Sequence, residues 1–163
     1  MNNEDKNSSL TLDILLVEDN PQDAELTIKA LEKRRLINSI IWLKDGAEAM
    51  DYFFGISDEE KSIVCKTIGL ILLDLKLPKI NGHELLRRLK EDTVTRFIPV
   101  VILTSSRQEA DILNSYKERA NSYIVKPVDF EKFADAVWQL GMYWLLLNQY
   151  PGMPHKKENE NDG

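Results

Sequence analysis

Gly69-Leu70-Ile71-Leu72-Leu73-Asp74-Leu75-Lys76-Leu77-Pro78 decides the fold, because an unbroken apolar run stops at a single carboxylate and then turns. A run apolar on both faces and bounded by turn signals reads as a strand buried on both sides, the kind found in the middle of a parallel sheet covered by helices. Asp74 then emerges at the carboxyl end of that strand. Open α/β sheets bind ligands along this edge, so the question is what else arrives there.

Upstream, Leu12 to Val17 forms a first apolar strand that ends at Glu18 and Asp19. Asn20 and Pro21 supply an N-cap and a first helical position, and Ala24, Ile28 and Leu31 repeat at helical spacing down to about Arg35. Asn38 to Leu43 reads as an Ile-rich strand, which Asp45-Gly46 turns into a helix with Ala47, Met50 and Phe54 on one face. Gly55 to Thr67 is charged and weakly periodic and reads as an elongated loop before the central strand, Ile68 to Leu73.

Downstream, Pro78 and Asn81-Gly82 mark a turn into a helix that buries Leu85, Leu86 and Leu89. Ile98 to Leu103 is a fourth strand ending at Thr104-Ser105-Ser106, and a more polar helix runs from Gln108 to about Arg119. Ser122 to Val125 is a fifth strand that stops at Lys126-Pro127. Five alternations of strand and helix predict an α/β fold, a doubly wound five-stranded parallel sheet with right-handed crossovers, in a single domain over residues 12–149. Residues 1–11 and 150–163 are polar and read as disordered.

The last helix, about Phe130 to Asn148, is apolar nearly all round in its second half. One sheet face cannot cover all of it, which predicts a homodimer through this helix, with Trp138, Met142 and Leu145 at the contact.

The chain has 163 residues and a net charge of -6, which argues against wholesale wrapping of nucleic acid. It holds no run of about 18 apolar residues, and its polar start lacks a signal-peptide core, so the expected place is the cytoplasm, with no membrane partner. The lone Cys65 makes no internal disulfide and has no neighbours at zinc-ligand spacing. His83, with no second His or Cys near it, reads as a surface residue.

The strand ends carry a particular inventory: Glu18 and Asp19, Asp74, Thr104 and Lys126. In a doubly wound sheet these ends lie side by side, which brings three carboxylates, a hydroxyl and an ammonium into one shallow cleft. A small hard cation such as Mg2+ is held by one or two carboxylates with water and phosphate oxygens, and a carboxylate can also act as a nucleophile toward phosphorus. Phosphoryl transfer needs mainly positioning and charge neutralisation. Each residue has a plainer reading as a cap or a solvated side chain. Against it, Asn20 already caps the first helix and Asp74 precedes no helix directly, while Thr104 keeps a capping role as an alternative. Pro127 fixes an extended backbone at Lys126.

With Leu16-Val17-Glu18-Asp19-Asn20, Leu72-Leu73-Asp74 to Pro78 with Asn81-Gly82, Leu103-Thr104-Ser105 and Val125-Lys126-Pro127, the sequence resembles the receiver domain of bacterial two-component response regulators (the CheY-like family), from about Leu12 to Asn148. The resemblance implies a flavodoxin-like strand order, 2-1-3-4-5. It also implies Asp74 as phosphoacceptor, and Mg2+ held by Asp19, Asp74 and the backbone carbonyl of Lys76 with Glu18 assisting. Thr104 and Lys126 would contact the phosphoryl group, the Lys126–Pro127 bond would be cis, and Tyr123 would be the switch aromatic. The implied donor is a phosphohistidine on a sensor histidine kinase. The implied signal is a change in the surface made by the helix after the fourth strand, the fifth strand and the last helix. Asn20-Pro21-Gln22-Asp23, the long loop near residue 60 and the aromatic last helix resemble the stand-alone regulators paired with bacterial phytochromes, which implies a phytochrome kinase. Glu18 departs from the Asp of many receivers but is still a carboxylate. Two enzymes on the same fold fit less well: an aspartyl-phosphate phosphatase needs a second Asp where Lys76 stands, and a flavin phosphate would be repelled by Glu18 and Asp19. The expectation is thus a phosphoacceptor switch rather than an enzyme acting on other substrates.

Overall fold

A strand with no polar side needs cover on both faces, and the sheet is built around that need. The structure, a computed structural model, describes residues 12–32 and 39–149. In chain order the elements are β1 (Asp13–Val17), α1 (Pro21–Glu32), β2 (Ile40–Leu43), α2 (Gly46–Phe54), α3 (Asp58–Cys65), β3 (Ile68–Leu73), α4 (Gly82–Glu91), β4 (Val100–Thr104), α5 (Glu109–Lys117), β5 (Ser122–Val125) and α6 (Phe130–Met142). A 3-10 turn at Thr95–Phe97 precedes β4, and a π turn at Tyr143–Leu147 follows α6. The strands form one parallel sheet in the expected order, β2-β1-β3-β4-β5. All six residues of the central β3 are buried, whereas the edge strands β2 and β5 are half-buried.

Successive side chains of a strand point to opposite faces, and this alternation divides the core in two. Leu15, Val17, Ile71, Leu73 and Ile102 pack with Phe53 of α2 and Leu85, Leu86 and Leu89 of α4. Ile14, Leu16, Leu70, Leu72, Val101 and Leu103 pack with Ala24 and Leu31 of α1 and Phe133 and Val137 of α6. Each fully buried side chain of this size contributes about 1.5–3 kcal/mol relative to leaving it exposed. The sheet centre is therefore the rigid part of the molecule, and it fixes the strand ends. Val17 pairs with Leu73, Leu73 with Ile102 and Thr104 with Val125, so Glu18, Asp74 and Lys126 leave the sheet along one edge.

Three expectations need correction. The segment read as a loop from Gly55 to Thr67 contains α3, opened by a complete capping box: Ser57 accepts from the Glu60 N–H and Glu60 accepts from the Ser57 N–H. The polarity of this helix runs the wrong way for an amphipathic reading, since Ile63 is exposed and Lys61 is buried. Lys61 is held by Asp92 at 2.7 Å and Asp58 at 2.9 Å.

The second correction concerns Leu145, expected at a dimer contact. It lies in the core at 9% exposure, because the π turn after α6 sets it over β3 at Gly69. A Cβ on Gly69 would stand 2.5 Å from Leu145 Cδ2 and 2.8 Å from Leu12, so glycine is what lets the turn close on the sheet. Trp138 and Met142 are half-buried, and Tyr143, Leu146 and Leu147 are the exposed apolar residues of this end. Third, His83 is not a free surface group but bridges α4 to Asp111 and Glu118 at α5. The expected disorder at 1–11 and 150–163, the helix end near Arg35 and the strand start at Asn38 lie outside the described residues. Among the described residues no helix is long and apolar enough to cross a membrane.

Candidate functional site: an acidic cleft with one lysine

The edge where β1, β3 and β5 end gathers the expected residues. Asp74 leaves the buried β3 with its N–H donating to the Val17 carbonyl at 3.1 Å, and the Lys126 N–H donates to the Thr104 carbonyl at 2.8 Å. Both side chains are thereby aimed into the same cleft. The turn below Asp74 is tight: the Gly82 N–H donates to the Leu75 carbonyl at 2.8 Å, and a Cβ on Gly82 would meet the Asp74 carbonyl at 2.4 Å. Only glycine lets α4 begin so close to the strand end.

Lys126 is the hub. Its Nζ donates to Asp23 Oδ2 at 2.8 Å, to Asp74 Oδ2 at 3.1 Å and to Glu18 Oε2. Glu18 is held in turn by the Asn20 N–H at 3.0 Å, and the Trp42 indole donates to the Glu18 carbonyl at 2.8 Å. The Lys76 N–H donates to Asp74 Oδ1 at 3.3 Å. Carboxylate oxygens of Glu18, Asp19 and Asp74 lie within 4.8 Å of one another.

Burial pushes the Glu18 carboxyl up, to about 7, with the neighbouring Asp74 charge adding and Lys126 opposing. Burial alone would depress Lys126, but hydrogen bonds to Asp23 and Glu18 and the charge of Asp74 outweigh it and hold the ammonium above its ordinary value. Three carboxylates thus share one ammonium, and a fourth, Asp19, stands close to two of them. Like charges this close are unfavourable unless neutralised, and the Glu18, Asp19 and Asp74 oxygens suit a hard divalent cation with water completing its shell.

Thr104 is fully buried, and its Oγ1 accepts from the Ser106 N–H at 3.4 Å. Tyr123 donates its hydroxyl to the Ser106 carbonyl at 3.1 Å, so the expected hydroxyl and the expected switch aromatic meet through Ser106. The Lys126–Pro127 bond is trans, contrary to the cis bond implied by resemblance; no cis peptide occurs among the described residues. Trans is the intrinsically preferred form of an X–Pro bond, and from it the lysine already reaches all three of its carboxylates.

Sequence reasoning missed three participants. Asp23, in the first turn of α1, is the third carboxylate on Lys126. Ser106 donates its hydroxyl to Asp111 of α5, and that bond holds the Asp111 carboxyl below the usual range. His83 stands between Asp111 at 3.4 Å and Glu118 at 2.8 Å. Nothing at local spacing announces the Asp23 and His83 contacts, whose partners come from distant elements, whereas Ser106 and Asp111 stand only five residues apart.

Comparison with known proteins agrees with this fold. The family model of the response regulator receiver domain matches residues 14–138. The chain is 40% identical over 139 residues to the probable methanogenesis regulatory protein FilR2 of Methanothrix harundinacea, covering 85% of this chain and 87% of the relative. It is 36% identical over 132 residues to response regulator Rcp1 of Synechocystis, covering 81% and 88%. Among solved structures, the phosphorylated cyanobacterial phytochrome response regulator RcpA superposes with a TM-score of 0.78 at 35% identity, over 86% of this chain and 99% of that one. The Mn2+-bound form of Rcp1 gives 0.75 at 35% identity, over 86% and 99%. The bacteriophytochrome response regulator AtBRR gives 0.64 at 46% identity, over 85% and 99%.

Proposed function

The chain belongs to the response regulator receiver domain family and is related to phytochrome-associated regulators, and from that premise we propose that it is a phosphorylation switch with Asp74 as phosphoacceptor. The observation that carries the proposal is Lys126 Nζ at 3.1 Å from Asp74 Oδ2, beside the close group of Glu18, Asp19 and Asp74. The donor is a phosphohistidine of a sensor histidine kinase, of the phytochrome class by likeness to RcpA and AtBRR. An Asp74 carboxylate oxygen attacks phosphorus, the P–N bond breaks as the P–O bond forms, and the released imidazole takes a proton from water.

Asp19, Asp74 and the Lys76 carbonyl, with Glu18 assisting, would hold Mg2+, and Rcp1 is a relative with a Mn2+-bound structure. When bound, the cation neutralises charge on the phosphoryl oxygens. Lys126 donates to one of those oxygens and Thr104 offers its hydroxyl to another. Thr104 and Tyr123 both contact Ser106, so a shift of Thr104 toward the phosphoryl group frees Tyr123 to move and alters the face formed by α5, β5 and α6. The exposed Tyr143, Leu146 and Leu147, with Trp138 and Met142, make the end of α6 the surface for a second copy of the chain. Sedimentation giving only monomer at micromolar concentration, phosphorylated or not, removes that part of the proposal. Incubation with Mg2+ and acetyl phosphate tests the rest: wild type gains one phosphoryl group and Asp74→Asn none. Equal uptake by both, or none by wild type, overturns it.

A further inference from the structure

A lysine ammonium has three N–H donors, and in Lys126 all three go to carboxylates: Glu18, Asp74 at 3.1 Å and Asp23 at 2.8 Å. Glu18 and Asp74 also belong to the acidic group suited to a cation, whereas Asp23 does not. Once a cation and a phosphoryl group engage Glu18 and Asp74, Asp23 is the acceptor that remains to Lys126. Its backbone is pinned on both sides. The Asp23 N–H donates to the capping Asn20 Oδ1 at 3.2 Å, and the buried Thr27 hydroxyl donates to the Asp23 carbonyl at 2.8 Å. The carboxylate therefore stands on a fixed turn of α1 and reaches across to the end of β5.

We propose that Asp23 is a positioning residue, tethering the Lys126 ammonium to α1 so that it stays beside Asp74 as the phosphoryl group arrives. This rests on the reading of Asp74 as phosphoacceptor. No covalent bond to Asp23 forms or breaks. Without the tether, the long lysine side chain regains rotamer freedom that each phosphoryl encounter must remove again. The Asp23 side chain is 35% exposed, so the tether has the strength of a partly screened ion pair, and its loss weakens the step without abolishing it.

The test measures phosphorylation rate against acetyl phosphate concentration at saturating Mg2+ for wild type, Asp23→Ala and Asp23→Asn. Mg2+ affinity is read separately from the fluorescence of Trp42, whose indole holds the Glu18 carbonyl. Asp23→Ala raises the half-saturating acetyl phosphate concentration about fivefold, the scale of one such pair. Asp23→Asn, of equal size and still an acceptor, recovers most of the loss, and Mg2+ affinity is nearly unchanged in both. In a Lys126→Ala background, Asp23→Ala adds nothing, as a shared interaction requires. The proposal is overturned if Asp23→Ala leaves half-saturation unchanged or lowers it, if Mg2+ binding is lost, or if the effect persists without Lys126. A wild type that takes up no phosphate would instead overturn the assignment of Asp74, so the two failures are distinct.

Discussion

Replacing Lys126 by Met removes the ammonium while keeping an apolar stem of similar length, and the structure sets the size of the consequence. Nζ touches Glu18 and lies 2.8 Å from Asp23 and 3.1 Å from Asp74, with a side chain only 9% exposed. Removing one member of a buried charge cluster costs about 3–5 kcal/mol, because the remaining charges stay buried without a counterion. Asp23 is partly exposed, so the expected loss is at the lower end, about 3 kcal/mol, in urea unfolding with a chelator present. Adding Mg2+ then narrows the gap without closing it. In wild type the ammonium competes for Glu18 and Asp74, and repulsion between a monovalent and a divalent charge in a partly buried site is on the order of a few kcal/mol. Mg2+ therefore binds Lys126→Met at least about tenfold more tightly than wild type. By linkage, the variant gains about 1.4 kcal/mol more stability at a saturating concentration. A variant as stable as wild type in chelator, or one with no larger gain from Mg2+, refutes the view that lysine and cation share one set of carboxylates.

Three further outcomes follow from other parts of the fold. Lys90 is buried, with its Nζ donating to the Ile98 carbonyl at 2.8 Å, Asn121 Oδ1 at 3.0 Å and the Arg96 carbonyl at 3.3 Å. Burial, with the Arg119 charge, pushes it down to about 8 from 10.5. The unfolded chain then binds the extra proton between those values, so stability rises with pH from about 8 to 10.5 by up to about 3 kcal/mol relative to Lys90→Met in urea titrations. A flat difference contradicts this. Leu145→Ala opens a cavity over Gly69 and lowers stability by about 2–4 kcal/mol without changing the oligomeric state; a loss of association with unchanged stability would return Leu145 to an interface. Ser57→Ala removes the α3 capping box and costs about 1 kcal/mol, seen as faster hydrogen exchange in residues 58–65 while the sheet amides keep their protection.

Much of the fold was legible because its signals are local. The β3 run, the alternating elements and the polar strand ends each declare themselves within a few residues, and the two-sided burial of β3 follows from its lack of a polar face. What was not legible depends on distant partners. The capping box of α3 stood in the sequence at Ser57 and Glu60, yet the helix docks through Lys61, whose partner Asp92 is 31 residues away. Leu145 looked like interface because its cover comes from Gly69, a residue that offers no side chain. His83 looked idle because its partners lie 28 and 35 residues further on. Asp23 reaches Lys126 across 103 residues. Its place in the first helical turn is where acids commonly sit for the helix dipole alone, which masked its role. The cis bond at Lys126–Pro127 came from resemblance, and the chain delivers the lysine without it.

The central claim is that Asp74 carries the phosphoryl group, and it is tested most directly at the carboxyl carbon itself. Wild-type protein phosphorylated with acetyl phosphate and Mg2+, then reduced with borohydride, should yield homoserine at position 74, because an acyl phosphate is reduced to the alcohol and a free carboxylate is not. Peptide mapping should find homoserine there alone and find none when a chelator replaces Mg2+. Homoserine at Asp19 or Asp23 instead, or at no position in protein that has taken up phosphate, would contradict the account.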